Sequence, residues 1–373
     1  MSEKIEFLFL SQEDMIAAGV VDMKRCVQCM DDVFKLLGSG DYLMGGPWEN
    51  HHGMMLWFPK EARGPHMPVE GPDRRFMAMP AYLGGRFNVC GNKWYGSNTE
   101  NAKRGLPRSI LTVILNDVET GAPLAFMSAN LLSAARTGAV PGVATKYLQR
   151  KGASVAGVVG AGVMGRSSLL SIAQTMTEGK EVLVYDIFPE KARSFCDELS
   201  KQMPGWNIHP VASMNEALGC DIVSVTASAL APVPITDEVI KPGAVVIVTG
   251  AADVDDRCYL TNTVVFDNWL MHKDWLDELR DQPERAFHAG AGHPSAPLLK
   301  MVYDRKLDPQ TFVSLPDVIA DPAKGRKRDD EKLIFISGGM SVEDVGWGFD
   351  CYREAQKKGL GQKLALWEKP YWA

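Results

Sequence analysis

The residues with the clearest chemistry lie between Ala153 and Asp186. A short β-branched apolar run, Val155–Val159, leads into Gly160-Ala161-Gly162-Val163-Met164-Gly165; a helix-like segment follows, and a second apolar run ends at Asp186. A G-x-G-x-x-G match carries meaning only in this strand–turn–helix–strand setting. The first glycine permits a tight turn, the second lets backbone approach a pyrophosphate, and the third lets helix and strand pack closely. The helix N-terminus offers N–H groups and a positive dipole end to the phosphates. Asp186, 21 positions beyond Gly165, stands where an acid bonds both ribose hydroxyls and repels a 2′-phosphate, which predicts NAD rather than NADP. Gly160, Gly162, Val163, Met164, Gly165 and Asp186 are the expected cofactor contacts, with Thr226 at the end of a later strand, Ile222–Thr226. The plain alternative is a glycine-rich turn in an α/β core.

Three charged side chains outside the loop can act on a substrate. Asp253 follows the buried strand Ala244–Val248 after a turn of small residues. In an open α/β sheet, ligands lie beyond the carboxyl ends of the strands. A carboxylate there can take a proton from a substrate amine or hold an ammonium; it reads equally well as a helix cap or turn aspartate. Lys93 closes a strand ahead of Trp94-Tyr95-Gly96-Ser97-Asn98, and Arg136 sits among small residues in SAARTGAVPG. Two such cations suit a substrate carboxylate, or alternatively a salt bridge between domains. His51 and His52 are adjacent and do not face one ligand from a regular strand. Cys26 and Cys29 form a lone C-x-x-C inside a helical pattern. No metal site is expected from either.

The elements that must position these residues fall into two sets. Phe7–Leu10, Arg75–Tyr82, Arg86–Lys93, Ser109–Asn116 and Leu124–Met127 read as strands of an antiparallel sheet, with the Gly-, Pro- and His-rich stretch 41–75 as a long loop. From Val155 the chain alternates strand and helix, with strands also at Val182–Tyr185, Ile208–Pro210, Thr263–Phe266 and Lys332–Ile336. That alternation implies an α/β fold with a parallel sheet and crossover helices. Helices are expected over Lys24–Leu37, over Asn130–Gln149 with a break near Pro141, and over Val342–Lys358. The aromatic tail Leu364–Ala373 is expected to pack back on the first domain.

Composition narrows the class. A length of 373 residues is typical of two domains. A net charge of −6 argues against a nucleic-acid surface, and the basic run Lys324–Arg328 is answered at once by Asp329, Asp330 and Glu331. No run reaches the roughly 18 apolar residues of a membrane helix. The N-terminus lacks the pattern of a secretory signal. Seven irregularly spaced cysteines suit reduced thiols in a cytoplasm.

Taken together, MPAYLGG (79–85), NKWYGSNTENAKRGLP (92–107), the RTGA helix within 115–148, GAGVMGR (160–166), GAADVDDRCYL (250–260) and SGGMSVED (337–344) resemble the ornithine cyclodeaminase/mu-crystallin family. The resemblance implies a Rossmann dinucleotide-binding domain over 141–334. It also implies an α+β substrate-binding and dimerisation domain over 1–140 and 335–373, and a homodimer formed through the sheets of the latter. It implies NAD as cofactor, Lys93 and Arg136 as carboxylate-binding residues, Asp253 as the catalytic aspartate with Lys93 beside it in that role, and Arg75 as a further substrate-binding arginine. Cyclodeaminases of this kind carry a glutamate just before the M-P pair, where this chain has Met77 and Ala78. The expected activity is hydride transfer at the α-carbon of an amino or imino acid. It is written either as redox-neutral cyclodeamination or as simple ketimine reduction, amino-acid dehydrogenation or opine-type condensation. A non-catalytic binding protein is the remaining alternative. Residues 268–330 diverge from the family pattern and, with 45–75, are expected to read the substrate side chain.

Overall fold

The computed structural model describes residues 4–227, 232–281 and 293–372. The chain groups into two units: Met1–Asp22, Ser39–Arg136 and Met340–Ala373 in one, Met23–Gly38 and Thr137–Gly339 in the other.

The first unit is built on residues that alternate apolar and polar. Its strands are β1 (Ile5–Leu10), β2 (Tyr42–Met44), β3 (Met54–Trp57), β4 (Arg75–Leu83), β5 (Val89–Ser97), β6 (Ser109–Asn116), β7 (Pro123–Ser128) and a C-terminal strand, Gln362–Trp367. The sheet runs C-terminal strand, β1, β7, β6, β5, β4, β2, with β3 also paired to β4. Every pair is antiparallel except β1 with β7, so the expected antiparallel sheet is mixed at one ladder. Register places Met79, Lys93, Val113 and Met127 in one cross-strand row, and all four are buried. Directly opposed residues share a sheet face, and this face is covered by the helix Ser341–Lys358, which buries Val342, Val345, Trp347, Cys351 and Ala355. The approach is close: a Cβ on Gly91 would stand 2.8 Å from Val345 Cγ2. The other face exposes Phe76, Trp94, Ile110 and Phe126.

Three local expectations change. β5 begins at Val89 and runs on through Ser97, because residues 84–88 form the turn, with Asn88 at φ 40° and the Gly85 N–H donating to Asp41 Oδ2 at 2.7 Å. The stretch 41–75 supplies β2 and β3 to the sheet edge. The C-terminal strand does return to β1, but Tyr371 and Trp372 beyond it are 89% and 87% exposed.

In the second unit, near-continuous Val/Ile runs form an all-parallel sheet, as expected for strands buried on both faces. The strands are β8 (Val155–Val159), β9 (Glu181–Tyr185), β10 (Asn207–Pro210), β11 (Ile222–Val225), β12 (Val233–Ile235), β13 (Val245–Val248), β14 (Ala252–Val254), β15 (Thr263–Phe266), β16 (Val313–Ser314) and β17 (Leu333–Ile336). The sheet order is β10-β9-β8-β11-β13-β17-β15-β16; β12 and β14 form a separate parallel pair. Strand order reverses between β8 and β11, the switch point at which such sheets bind dinucleotides. The expected break at Pro141 is absent: the helix Asn130–Leu148 is continuous. Proline there forfeits one helical N–H. Tight packing compensates, since a Cβ on Gly138 would lie 2.2 Å from Ser167 Cβ, and Thr175 Oγ1 donates to the Gly142 carbonyl at 2.8 Å.

Asp221 ties the start of this sheet together. Its buried carboxylate accepts from the Ser154 and Val155 N–H groups at 3.0 and 3.2 Å, from Arg150 at 2.7 Å and from Lys241 at 2.6 Å. Burial opposes ionisation, but Lys241, Ser154 and Arg150 overcome it and hold the carboxyl down at about 2. Asp221→Ala is expected to lower the unfolding free energy by about 2–4 kcal/mol at neutral pH. Because the folded carboxyl titrates below its unfolded value, that difference is present above pH ~4 and fades as pH falls toward about 2. Urea unfolding of both proteins across that range checks this.

Candidate functional site

The glycine loop is shaped by close contacts. Gly160 has φ 110°, and a Cβ there would sit 2.9 Å from Thr226 Oγ1 and 3.0 Å from the Ala227 N. A Cβ on Gly165 would lie 2.1 Å from the Gly160 carbonyl oxygen. Gly162 differs: it caps the helix Val163–Thr175 without a side-chain hydrogen bond, and its missing Cβ faces open space. The first turn carries no acid, and Val163 is exposed while Met164 is half-buried. N–H groups without a side-chain cap, a positive dipole end and vacant space together fit a pyrophosphate.

Asp186 anchors the rim of the loop. Oδ2 accepts from the Ala161 N–H at 2.8 Å and Oδ1 from the Phe188 N–H at 3.0 Å. The residues after it, Ile187, Phe188 and Pro189, offer no cation to a 2′-phosphate. Thr226 is turned toward the loop backbone, its hydroxyl 3.0 Å from the Gly160 carbonyl and 3.2 Å from that of Val159. Gly250, in the turn after β13, packs on the same place, since a Cβ there would meet the Ala227 oxygen at 2.5 Å. Asp253 lies on β14, opposite Pro234 of β12, and its side chain is exposed.

In the first unit, Lys93 and Arg136 are brought together by two acids of the helix Ser341–Lys358. Lys93 Nζ donates to Asp344 Oδ2 at 2.7 Å. Arg136 Nε donates to Asp344 Oδ1 at 3.0 Å, and its Nη2 lies 2.9 Å from Oδ2. Arg136 Nη1 donates to Glu343 Oε2 at 2.5 Å, and that oxygen also accepts the Met340 N–H at 3.2 Å. All four side chains are at most 5% exposed. Burial and the neighbouring Arg136 push the Lys93 amine down to about 8, against the pull of Asp344 and Glu343. For Arg136 burial works the same way, but the two carboxylates outweigh it and raise the guanidinium.

Arg75 shares the sheet face of Lys93 but not its partners. Its register partner is Ser97, whereas that of Lys93 is Met79, four residues along β4, or about 13 Å. Arg75 pairs with Asp73, stands over the rings of Trp57 at 5.3 Å and Tyr95 at 5.8 Å, and reaches the Tyr95 hydroxyl at 3.4 Å. Asp73 also takes Arg108 at 2.6 Å and the Ser97 hydroxyl. Tyr95 OH lies 3.0 Å from Met77 Sδ.

Sequence reasoning did not single out Glu343 and Asp344. The available signal was a pair of acids opening a helix directly after Ser337-Gly338-Gly339. It also missed a buried cluster in the second unit. Asp267, at the end of β15, accepts from the Gly338 and Gly339 N–H groups at 2.6 and 3.1 Å and pairs with His272 Nε2 at 2.8 Å. His272 Nδ1 and His293 Nδ1 lie 3.0 and 2.8 Å from Ser295 Oγ. Burial opposes ionisation of Asp267, and His272 with the Gly338 and Asn268 N–H groups holds its carboxyl low; burial pushes His293 down to about 3. Of the divergent stretch 268–330, residues 282–292 lie outside the described residues. No helix among the described residues is long and apolar enough to cross a membrane.

The chain has relatives among known proteins. An N-((2S)-2-amino-2-carboxyethyl)-L-glutamate dehydrogenase of Staphylococcus aureus is 28% identical over 79% of this chain and 82% of its own length. Among solved structures, an archaeal alanine dehydrogenase dimer with bound NAD superposes with a TM-score of 0.79 at 26% identity, covering 97% of this chain and all of that one. The Δ1-pyrroline-2-carboxylate reductase of Thermococcus litoralis, in complex with NADH and L-proline, gives 0.77 at 28% identity over 95% and 99% of the two chains. The ornithine cyclodeaminase/mu-crystallin family model matches residues 20–359, and the chain belongs to that family.

Proposed function

We propose that the chain is an NAD-dependent oxidoreductase acting at the α-carbon of an amino or imino acid, with Lys93 and Arg136 as its carboxylate receptor. The observation that carries this reading is the buried Lys93–Arg136 pair, in a chain that also holds a dinucleotide loop with no side-chain cap. Arg136 has five N–H donors and Lys93 three. The contacts to Asp344 and Glu343 use three of the former and one of the latter, leaving donors on both for a substrate carboxylate.

In the oxidative direction an α-ammonium must first lose a proton. The Cα–H bond then breaks with its electron pair, leaving an iminium carboxylate; the overall change is amino acid and NAD⁺ to iminium, NADH and one proton. NAD, when bound, accepts or returns the hydride. Asp253 is the proposed proton acceptor, a role its exposed carboxylate suits. Lys93 and Arg136 fix the carboxylate, so the Cα–H is oriented before it reacts. Gly160, Gly162, Val163, Met164 and Gly165 are the proposed pyrophosphate contacts, and Asp186 the ribose contact. Thr226 holds the loop in shape. Arg75, paired with Asp73, is proposed to meet the far end of the substrate.

The domain roles are part of the proposal: a substrate-binding and dimerisation domain from 1–140 and 335–373, and a Rossmann NAD-binding domain over 141–334. The apolar face formed by Phe76, Trp94, Ile110 and Phe126 is a surface of the kind that meets a second copy, so a homodimer is proposed; a cytoplasmic location is proposed separately, on the seven irregularly spaced cysteines.

Incubation with NAD⁺ and a panel of amino acids tests the reaction. NADH accumulation identifies a dehydrogenase, and NADH consumption with imino or keto acids a reductase. Ammonia release without net NADH identifies cyclodeamination, and cofactor binding without turnover would refute an enzymatic role. A second test concerns the loop. Gly165→Ala places a methyl against the Gly160 carbonyl and is expected to weaken NADH binding at least about tenfold, a loss of about 1.4 kcal/mol, with an unchanged circular dichroism spectrum. Fluorescence titration with NADH measures it.

A further inference from the structure

The two cations assigned to the substrate carboxylate do not stand alone, and the group between them has no role in the reaction just described. We infer that Asp344 is a positioning residue that locks Lys93 and Arg136 into one carboxylate receptor and keeps Lys93 protonated, with Glu343 holding the second edge of Arg136. The inference rests on the reading of Lys93 and Arg136 as that receptor.

Geometry carries the argument. Asp344 touches both cations: Oδ2 takes Lys93 at 2.7 Å and lies 2.9 Å from Arg136 Nη2, while Oδ1 takes Nε at 3.0 Å. A bidentate grip of this kind fixes the plane of a guanidinium as well as its position. Glu343 then takes Nη1 at 2.5 Å, and its own carboxylate is braced by the Met340 N–H. One donor on each of Nη1 and Nη2 of Arg136 remains unused by these two acids, and Lys93 is held beside them by the same oxygen.

Charge carries the rest. Two cations buried side by side repel each other strongly in a low dielectric, so one of them would give up its proton without a counter-ion. Arginine does not titrate in proteins, so the lysine is the one that would. The charged and titratable groups facing Lys93 are Asp344 and Glu343 on the helix Ser341–Lys358, Arg136 on the helix Asn130–Leu148, and Tyr95 two residues along β5, whose ring lies 5.7 Å from Nζ. Its cross-strand partners, Met79 and Val113, do not titrate. The cluster sums to zero, so an incoming carboxylate binds only while Lys93 carries its proton. Affinity must fall as pH rises through about 8, and Asp344 is what keeps that limb from lying lower.

The test measures binding, so the outcome of the turnover assays does not enter it. Pyruvate is titrated into the protein–NADH complex across the range in which lysine ionises. For the wild type, affinity is expected to drop on an alkaline limb near 8. In Asp344→Asn, which keeps the shape but loses the charge, the limb is expected to move down by about one pH unit or more. Glu343→Gln should move it in the same direction by less, and both variants should bind NADH as the wild type does. An unmoved limb in Asp344→Asn, whatever its affinity, would make Asp344 a structural residue and overturn the inference. If that variant does not fold, Glu343→Gln decides by the same readout, and an unmoved limb there overturns it equally. A wild type that binds no carboxylate overturns the receptor itself.

Discussion

The constraint on which the first unit depends is the burial of four charges in one place. Lys93, Arg136, Glu343 and Asp344 come from a strand, an interior helix and the first turn of another helix, and none is more than 5% exposed. Removing any one leaves an uncompensated buried charge, which costs several kcal/mol. The local structure is correspondingly tight. The helix bearing both acids starts at Ser341, whose hydroxyl donates to the Pro80 carbonyl at 3.1 Å, and Trp347, further along it, donates from Nε1 to the Val20 carbonyl at 3.0 Å. Gly91 admits Val345 where a side chain would collide. A stable core could have been built there without charge at lower electrostatic cost, which supports the recognition role proposed for the quartet.

The nucleotide loop reaches its precision differently, through absent atoms. Gly160 and Gly165 leave no room for a Cβ because the loop closes on itself and on Thr226, while Gly162 opens onto empty space. Thr226, expected to touch the cofactor, donates its hydroxyl to the loop carbonyls, which leaves its oxygen lone pairs as acceptors. Asp186 is likewise bound on both oxygens by backbone N–H groups, which uses two of the roughly four lone-pair sites of a carboxylate and leaves acceptors for ribose hydroxyls. The carboxylate that shapes the loop thus keeps the acceptors its proposed ribose contact needs.

Legibility in the sequence follows the range of the interaction. The loop was readable because strand, glycines, helix and acid lie within 34 residues of chain and each obeys a local rule. The all-parallel sheet was readable from its Val/Ile runs, and the helix from Ser341 onward from its apolar spacing. The ligands of Lys93 and Arg136 were not readable, because Asp344 is 251 positions from one and 208 from the other; at that separation an acid pair at a helix start looks like ordinary dipole chemistry. β2 and β3 were lost in the loop-rich stretch because they are three and four residues long and sit at a sheet edge. Pro141 misled for the opposite reason: the local rule is correct, and the close packing of Gly138 and Gly142 overrides it.

The Asp267–His272–Ser295 series in the second unit shows why composition alone does not make a catalytic site. The order of groups is that of a hydrolytic triad, yet His272 presents Nε2 to the acid and Nδ1 to the hydroxyl, and Ser295 is buried between two imidazoles. A nucleophile must reach its substrate; this one is fully buried. The acid explains the series better. Asp267 Oδ2 collects the N–H groups of Gly338 and Gly339 and lies 3.3 Å from the Ser337 hydroxyl. Gly339 adopts φ 74°, and a Cβ on Gly338 would strike Met271 at 2.4 Å. His272 orients a carboxylate that holds the glycine turn immediately ahead of the helix that supplies Glu343 and Asp344.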